Sequence, residues 1–351
     1  MPYTNINDPS AYFQTALYTG NSGTLSVTND GNSDLQPDLV WIKKRSGNAD
    51  HPITDSSRGT STQVYANLTY QDDPVSGVNA FNTDGFTLGS NGTSNLSGAT
   101  FVAWQWKANA GTTSSNTDGS INTTVQANTD AGFSIVGYTC PDPITNFTIG
   151  HGLGVTPDVI IVKTRDGSRN WGVYHKSLTA PAENRNLKLN LTNAEAAESS
   201  FWANTAPTSS VITIAQNASV NFQGHNYIAY CFAEKQGYSK FGKYVGNGNL
   251  NGPFVYTGFK PAFVMIKRTD SSANWDMFTG EISTFNIVSD RLRANLADAE
   301  QTGIDRLDFV SNGFKIRNTN TTGNISGGTY IYMAFADNPL VTSTGIPTTA
   351  R

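Results

Sequence analysis

Two dipeptides, Asn170-Trp171 and Asn274-Trp275, carry the residue types best suited to holding a ligand. An indole ring stacks on a pyranose face while a neighbouring amide bonds the hydroxyls, so each pair is a candidate glycan contact. Each tryptophan also opens a strand-like run, Trp171-Gly172-Val173-Tyr174 and Trp275-Asp276-Met277-Phe278. Strand alternation sets Trp171 beside Val173 and Trp275 beside Met277, both apolar, so inward packing is the favoured expectation for both rings.

Catalytic sets are scarcer. His51, His151, His175 and His225 have no metal-pair spacing, and as lone loop histidines they are expected at the surface. The chain has no Gly-x-Ser-x-Gly elbow, no P-loop and no EF-hand loop; the glycine-rich stretch 246–252 reads as a loop tip. Sandwich glycosidases need two carboxylates on one sheet face. Here Glu183, Glu195, Glu198, Glu234, Glu281 and Glu300 fall in loops, at strand ends or in a helical turn expected around Ala194-Glu195-Ala196-Ala197, and Asp72, Asp73 and Asp142 read as turn acids. A non-enzyme without cofactor or metal is expected, with a polysaccharide hydrolase as the least favoured alternative. Cys140 and Cys231 are too few for a disulfide framework and are expected as buried thiols, pairing only if their strands are neighbours.

The elements that would position these residues come in three copies. Pro37-Asp38-Leu39-Val40-Trp41-Ile42-Lys43 matches Pro157-Asp158-Val159-Ile160-Ile161-Val162-Lys163 and Pro261-Ala262-Phe263-Val264-Met265-Ile266-Lys267. Each is a proline, an apolar run too short for a helix, and a basic end: a strand buried on both faces. Downstream, Phe101-Val102-Ala103-Trp104-Gln105-Trp106 matches Tyr227-Ile228-Ala229-Tyr230-Cys231-Phe232 and Tyr330-Ile331-Tyr332-Met333-Ala334-Phe335. Alternation places Val102, Trp104 and Trp106 on one face, with Ile228, Tyr230 and Phe232, and Ile331, Met333 and Phe335, as the core-facing sets of the other copies.

Between these strands, Asn95-Leu96-Ser97-Gly98 recurs as Asn221-Phe222-Gln223-Gly224 and Asn324-Ile325-Ser326-Gly327. The expected structure is a turn in which Asn95, Asn221 and Asn324 bond their own backbone. The apolar residue plugs the core edge, and Gly98, Gly224 and Gly327 take positive φ.

The expected fold is therefore all-β: three tandem antiparallel β-sandwich units of jelly-roll or lectin-like type. Their expected extents are 1–108, 129–235 and 236–340, with a polar linker at 109–128 and a loose tail at 341–351. The linker sets the first unit apart and leaves the second and third closely coupled.

Composition supports this picture and excludes others. Only 14% of residues are charged, and 33 glycines accompany abundant Asn, Thr and Ser, a mixture suited to short strands and many turns. A net charge of −4 without a basic face argues against nucleic-acid partners. No apolar run is long enough for a membrane helix, and the first residues lack signal-peptide character.

Unit one also resembles a known family. The strings Pro37-Asp38-Leu39-Val40-Trp41-Ile42-Lys43-Lys44-Arg45-Ser46, Asp55-Ser56-Ser57-Arg58-Gly59, Phe81-Asn82-Thr83-Asp84-Gly85-Phe86-Thr87-Leu88-Gly89 and Phe101-Val102-Ala103-Trp104-Gln105-Trp106-Lys107 carry the likeness. They are similar to a lectin-like domain family of virion structural proteins in marine tailed phages, especially cyanophages. Gln105 departs from that pattern, where Cys is common, and units two and three lose the Asp-x-x-Arg-Gly stretch. The resemblance implies a virion component, assembled in the host cytoplasm: a tail fibre or spike, or a head decoration or fibre. Its implied partners are other virion proteins, further copies of the chain (a trimer favoured) and a host-surface glycan. It carries over no catalytic residues.

Overall fold

The computed structural model describes residue 4, residues 6–75 and residues 77–339; the expected tail lies outside the described residues. The fold is all-β. Each copy builds one large antiparallel sheet with the same strand order. In unit one the order is Phe13–Thr19, Thr100–Trp106, Leu39–Lys44, Pro52–Asp55, Val64–Tyr65. Unit three repeats it as Ser239–Val245, Thr329–Phe335, Phe263–Arg268, Trp275–Thr279, Leu292–Arg293. Unit two sets Phe133–Thr139, Asn226–Phe232, Val159–Thr164 and Gly172–His175 side by side in the same way.

The stretch expected as a linker is a correction. Thr123–Asn128 pairs with Phe133–Thr139, and Ser114–Asn116 pairs with Thr123–Asn128, so both strands extend the second sheet. Polar composition suggested a tether. The alternation Thr123-Thr124-Val125-Gln126, with Val125 buried in the core, is the strand signal beneath it. The helical turn expected near residues 194–197 is also absent: Ala196–Ala197 is a short strand pairing with Arg185–Asn186.

A smaller sheet covers the outer face of each large one. In unit one this is Leu25–Val27, Phe86–Leu88 and Val78–Phe81. Val40, Ile42, Phe86, Leu88, Phe101 and Ala103 fill the space between the two layers. Equivalent aromatic pairs stack there in all three copies: Tyr18–Phe101 at 5.2 Å, Tyr138–Tyr227 at 5.3 Å and Tyr244–Tyr330 at 5.0 Å.

The opposite faces of the large sheets meet one another. Their inward residues form a single core containing Phe13, Trp41, Trp104 and Trp106 from unit one, Phe133, Ile161 and Phe232 from unit two, and Phe263, Met265 and Phe335 from unit three. At its centre the equivalent residues Trp106, Phe232 and Phe335 make a triangle with centroid separations of 6.3, 5.6 and 5.8 Å. The chain is a three-lobed body with approximate threefold symmetry. The bulky faces read from the sequence point to this shared centre, each aromatic contributing roughly 2–3 kcal/mol on burial.

Candidate functional site

The side chains most distinctive in the sequence lie at the junctions between lobes. Trp171 is 0% exposed and Trp275 3% exposed. Trp171 Nε1 donates to Tyr65 O in unit one at 2.9 Å, and Trp275 Nε1 donates to Lys188 O in unit two at 3.1 Å. Asn170 and Asn274 accept from Asn190 and Asn295, each at 2.8 Å. Inward packing, the favoured expectation, is what both rings show: they are spent on holding one lobe against the next, so glycan contact through Trp171 and Trp275 is corrected, while Asn170 and Asn274 stay half-buried.

Lysines deepen the same junctions. Lys163 Nζ donates to Thr69 O of unit one and to Arg169 O at 2.9 and 3.0 Å. Lys267 Nζ donates to Thr192 O of unit two and to Ala273 O at 3.0 and 2.7 Å. Lys43 Nζ donates to Leu296 O of unit three at 3.0 Å and meets His51 Nε2. His51 stands where the other units have tryptophan. Main-chain bonds run alongside, Glu300 N to Arg45 O, Asp72 N to Arg165 O and Glu195 N to Thr269 O, at 2.9, 2.6 and 2.9 Å. Unit one thus leans on three, two on one, and three on two, so the ring closes. Burial pulls all three ammonium groups down to about 7. Nearby carboxylates, Asp298 for Lys43, Asp72 for Lys163 and Asp276 for Lys267, oppose that pull by favouring the charged form.

A second set of contacts runs the other way. Arg58 and Asp55, both buried, form a salt bridge at 2.6 Å, and Tyr230 of unit two donates to Asp55 Oδ2 at 2.8 Å. The Asp-x-x-Arg-Gly stretch is therefore a junction between lobes one and two. His175 Nε2 meets Tyr332 O of unit three at 3.1 Å while Nδ1 accepts from Ser177 N, which fixes a neutral ring. The surface expectation fails for His51, His151 and His175, which are 0%, 0% and 1% exposed. These bonds to buried partners were invisible in a sequence where the histidines do not repeat.

The repeated turn has the expected glycine geometry, with φ of +74°, +72° and +74° at Gly98, Gly224 and Gly327. Its asparagines differ from expectation. Asn95 Nδ2 donates to Asn21 Oδ1, Gly23 O and Gly89 O, and its Oδ1 accepts from Asn21 N. Asn324 repeats the set with Asn247, Asn249 and Asn318. Asn221 keeps one bond, to Thr145 O. Each asparagine clamps a distant loop rather than its own backbone, and the apolar neighbours Leu96 and Phe222 are exposed.

Cys140 and Cys231 are free, buried thiols, and burial pushes both up to about 12. Their strands are neighbours, yet Cys231 lies opposite Ser134 while Cys140 lies beyond the last paired residue Thr139. Six residues of strand separate them, about 20 Å, far beyond disulfide reach.

Among the described residues, two open grooves have room for a ligand. One, of about 550 Å³ on unit one, is walled by Tyr65, Asp73, Asn79 and Asn91. Tyr65 is buried and donates its hydroxyl to Asp73 Oδ2 at 2.5 Å, so this groove offers amides without an aromatic plate. The other, of about 490 Å³, lies between units two and three and is walled by Glu234, Gln236, Lys240, Tyr256 and Gly258. Tyr256 is 61% exposed and ends the strand Phe254–Tyr256. A Cβ at residue 258 would approach Tyr256 Oη to 3.5 Å, so the ring lies along bare glycine backbone of positive φ. Glu234 bonds Lys176, Lys240 and the Phe241 amide. Burial works to raise its pKa, but these partners outweigh it and hold the carboxyl below its ordinary value. Nothing in the sequence pattern singles out Tyr256; its signal was an aromatic at alternate positions of an outer strand, with Phe254 also exposed.

The chain belongs to the family described as Domain of unknown function (DUF7483), whose model matches residues 8–339. No curated protein and no solved structure matches it. The family model spans all three lobes as one unit.

Proposed function

We propose that this chain is a non-enzymatic structural protein of a tailed-phage virion, a single-chain counterpart of a trimeric building block. The observation that carries the reading is the closed ring of equivalent junctions around the Trp106, Phe232 and Phe335 triangle. Several buried ionisable groups, which an enzyme would aim at a substrate, are spent here on ion pairs and on junctions between lobes. Asp55 serves Arg58, Glu300 serves Arg45, and Lys43, Lys163 and Lys267 serve carbonyls. The virion placement rests on the resemblance of unit one's strings to phage structural domains. A body with internal threefold symmetry suits a threefold or vertex-proximal position, with other virion proteins as partners. The test is electron cryomicroscopy of the phage particle. Three-lobed density fastened to shell or tail supports the reading, and particles that lack the chain overturn it.

A second reading has its own observation. Tyr256, exposed beside Gln236, Lys240 and Glu234, is an aromatic plate among hydrogen-bonding groups, the arrangement a host-surface glycan would need. Glycan-array binding that Tyr256→Ala abolishes would support it, and an array without signal would remove it.

A further inference from the structure

One side of the sandwich is filled in unit two and open in unit three, so the copies act as internal controls. In unit two the strand Thr123–Asn128 lies along Phe133–Thr139, with Gln126 opposite Ile135 and Thr124 opposite Gly137. Its Val125 and Ala127 drop between the two sheets: a Cβ at Gly152 would meet Val125 Cγ1 at 2.9 Å and Ala127 Cβ at 3.3 Å. The same segment covers the edge of the outer strand Phe147–Gly150. Thr148 N donates to Ser120 Oγ at 2.8 Å, and Thr123 Oγ1 donates to Gly150 O at 3.0 Å. Residues 107–132 supply this arm, whereas residues 233–238 alone join units two and three and are too few to supply another.

Unit three keeps the seat. Ser239–Val245 matches Phe133–Thr139, Phe254–Tyr256 matches the outer strand, and Gly258 stands in the place of Gly152. The groove of about 490 Å³ between Lys240 and Gly258 takes the position that Val125 and Ala127 fill in unit two. Gly246 N donates to Gly328 O and Ala336 N to Tyr238 O, so alternation turns the main chain of Phe241, Lys243 and Val245 away from Thr329–Phe335. Glu234 Oε1 accepts from Phe241 N at 2.8 Å. No strand among the described residues pairs with Lys243 or Val245 on that side. Ile316 N donates to Pro253 O, so the main chain of Phe254 and Tyr256 also faces outward. Val245, Phe254 and Tyr256 are all exposed. Where unit three has Phe254 and Tyr256, unit one has Ser26 and Thr28, and unit two has Thr148 and Gly150.

We propose that this groove receives an extended strand donated by another protein chain. The strand is uncharged, carries small apolar residues at alternate positions, and adds to Ser239–Val245 through the main chain of Lys243 and Val245. Unit two shows the chemistry of the occupant: Thr123-Thr124-Val125-Gln126-Ala127 has no charge and sends Val125 and Ala127 inward. A strand from a separate chain lacks the covalent tether of the arm and needs more apolar contact to stay bound. Phe254 and Tyr256 supply that contact, which Thr148 and Gly150 do not. Thr4 lies against Gly237 at the near end of the groove, so the strand runs toward Val245. A glycan would use the Tyr256 ring and leave the outward main chain of Lys243 and Val245 unused. The inference rests on the structural reading above and names the kind of partner, but its contact is testable apart from the particle.

The probe is a capped peptide of residues 119–128, the sequence of the arm, added to the full chain. Saturating peptide should slow amide exchange at Lys243 and Val245 by about tenfold or more, with Tyr244, already paired with Tyr330, unchanged. Lys243→Pro removes an outward N–H that makes no bond within the sheet, so the lobe should fold and the peptide should no longer bind. Glycan binding through Tyr256 should survive that substitution, which separates the two occupants. Exchange in the unaltered protein is read independently of how the variant folds. No protection with peptide at about 1 mM would overturn the proposal. So would protection confined to unit two, equal binding by Lys243→Pro, or a glycan-array signal without peptide binding.

Discussion

Lys267 offers the most quantitative test of the junctions. Its side chain is fully buried between units two and three, and burial lowers its ammonium from 10.5 to about 7. The folded value lies below the unfolded one, so between these pH values the unfolded chain binds more protons and stability rises with pH. The contribution is complete above about pH 10.5 and is lost as pH falls toward 7. For one such lysine, linkage gives a gain of about 2 kcal/mol between pH 7 and pH 9. Lys267→Met keeps the length and the packing of the stem. Thr192 O retains its bonds from Ala273 N and Ser272 Oγ, so the variant strips the titration without leaving that carbonyl unpaired. Urea unfolding of both proteins at pH 7 and pH 9 should give a wild-type gain that exceeds the variant's by about 2 kcal/mol. An identical pH dependence in the two proteins would mean that Lys267 titrates as an exposed lysine, and the buried junction would be wrong.

Other perturbations follow the same logic. His175, held neutral with its pKa lowered to about 4, should make stability fall as pH drops from 6.5 to 4, by up to about 3 kcal/mol, and His175→Gln should flatten that acid limb in urea titrations. Phe335→Ala removes one vertex of the central triangle and should cost about 3–5 kcal/mol by chemical denaturation. Asn95→Ala and Asn324→Ala each break a four-bond clamp and should cost about 2–4 kcal/mol, whereas Asn221→Ala, with one bond to lose, should cost about 1 kcal/mol.

The lobes were legible because strand signals recur in register: the proline-led apolar run, the aromatic last strand and the Asn-x-x-Gly turn each fall at the same place in their sheets. Assembly of the lobes was far less legible. Most junction bonds end on backbone carbonyls such as Tyr65 O, Thr69 O and Lys188 O, which no residue type announces. One signal was available. A lysine ends the same doubly buried strand in every copy, and a charge conserved between repeats at a buried position needs a partner outside its own unit. Residues 109–128 misled because Thr and Ser serve strands as readily as linkers, and there Ile121, Val125 and Ala127 are the apolar side chains that mark the core side. Tyr256 was passed over because a single exposed aromatic on an outer strand resembles any surface tyrosine until the groove beside it is seen.

Three lobes share one core and one closed ring, and so fold as a single body. Differential scanning calorimetry of the full chain tests it most directly. One transition is expected, with a van't Hoff enthalpy equal to the calorimetric enthalpy for the whole chain. Resolved transitions, or a van't Hoff enthalpy near one third of the calorimetric value, would mean independent sandwiches and would contradict it.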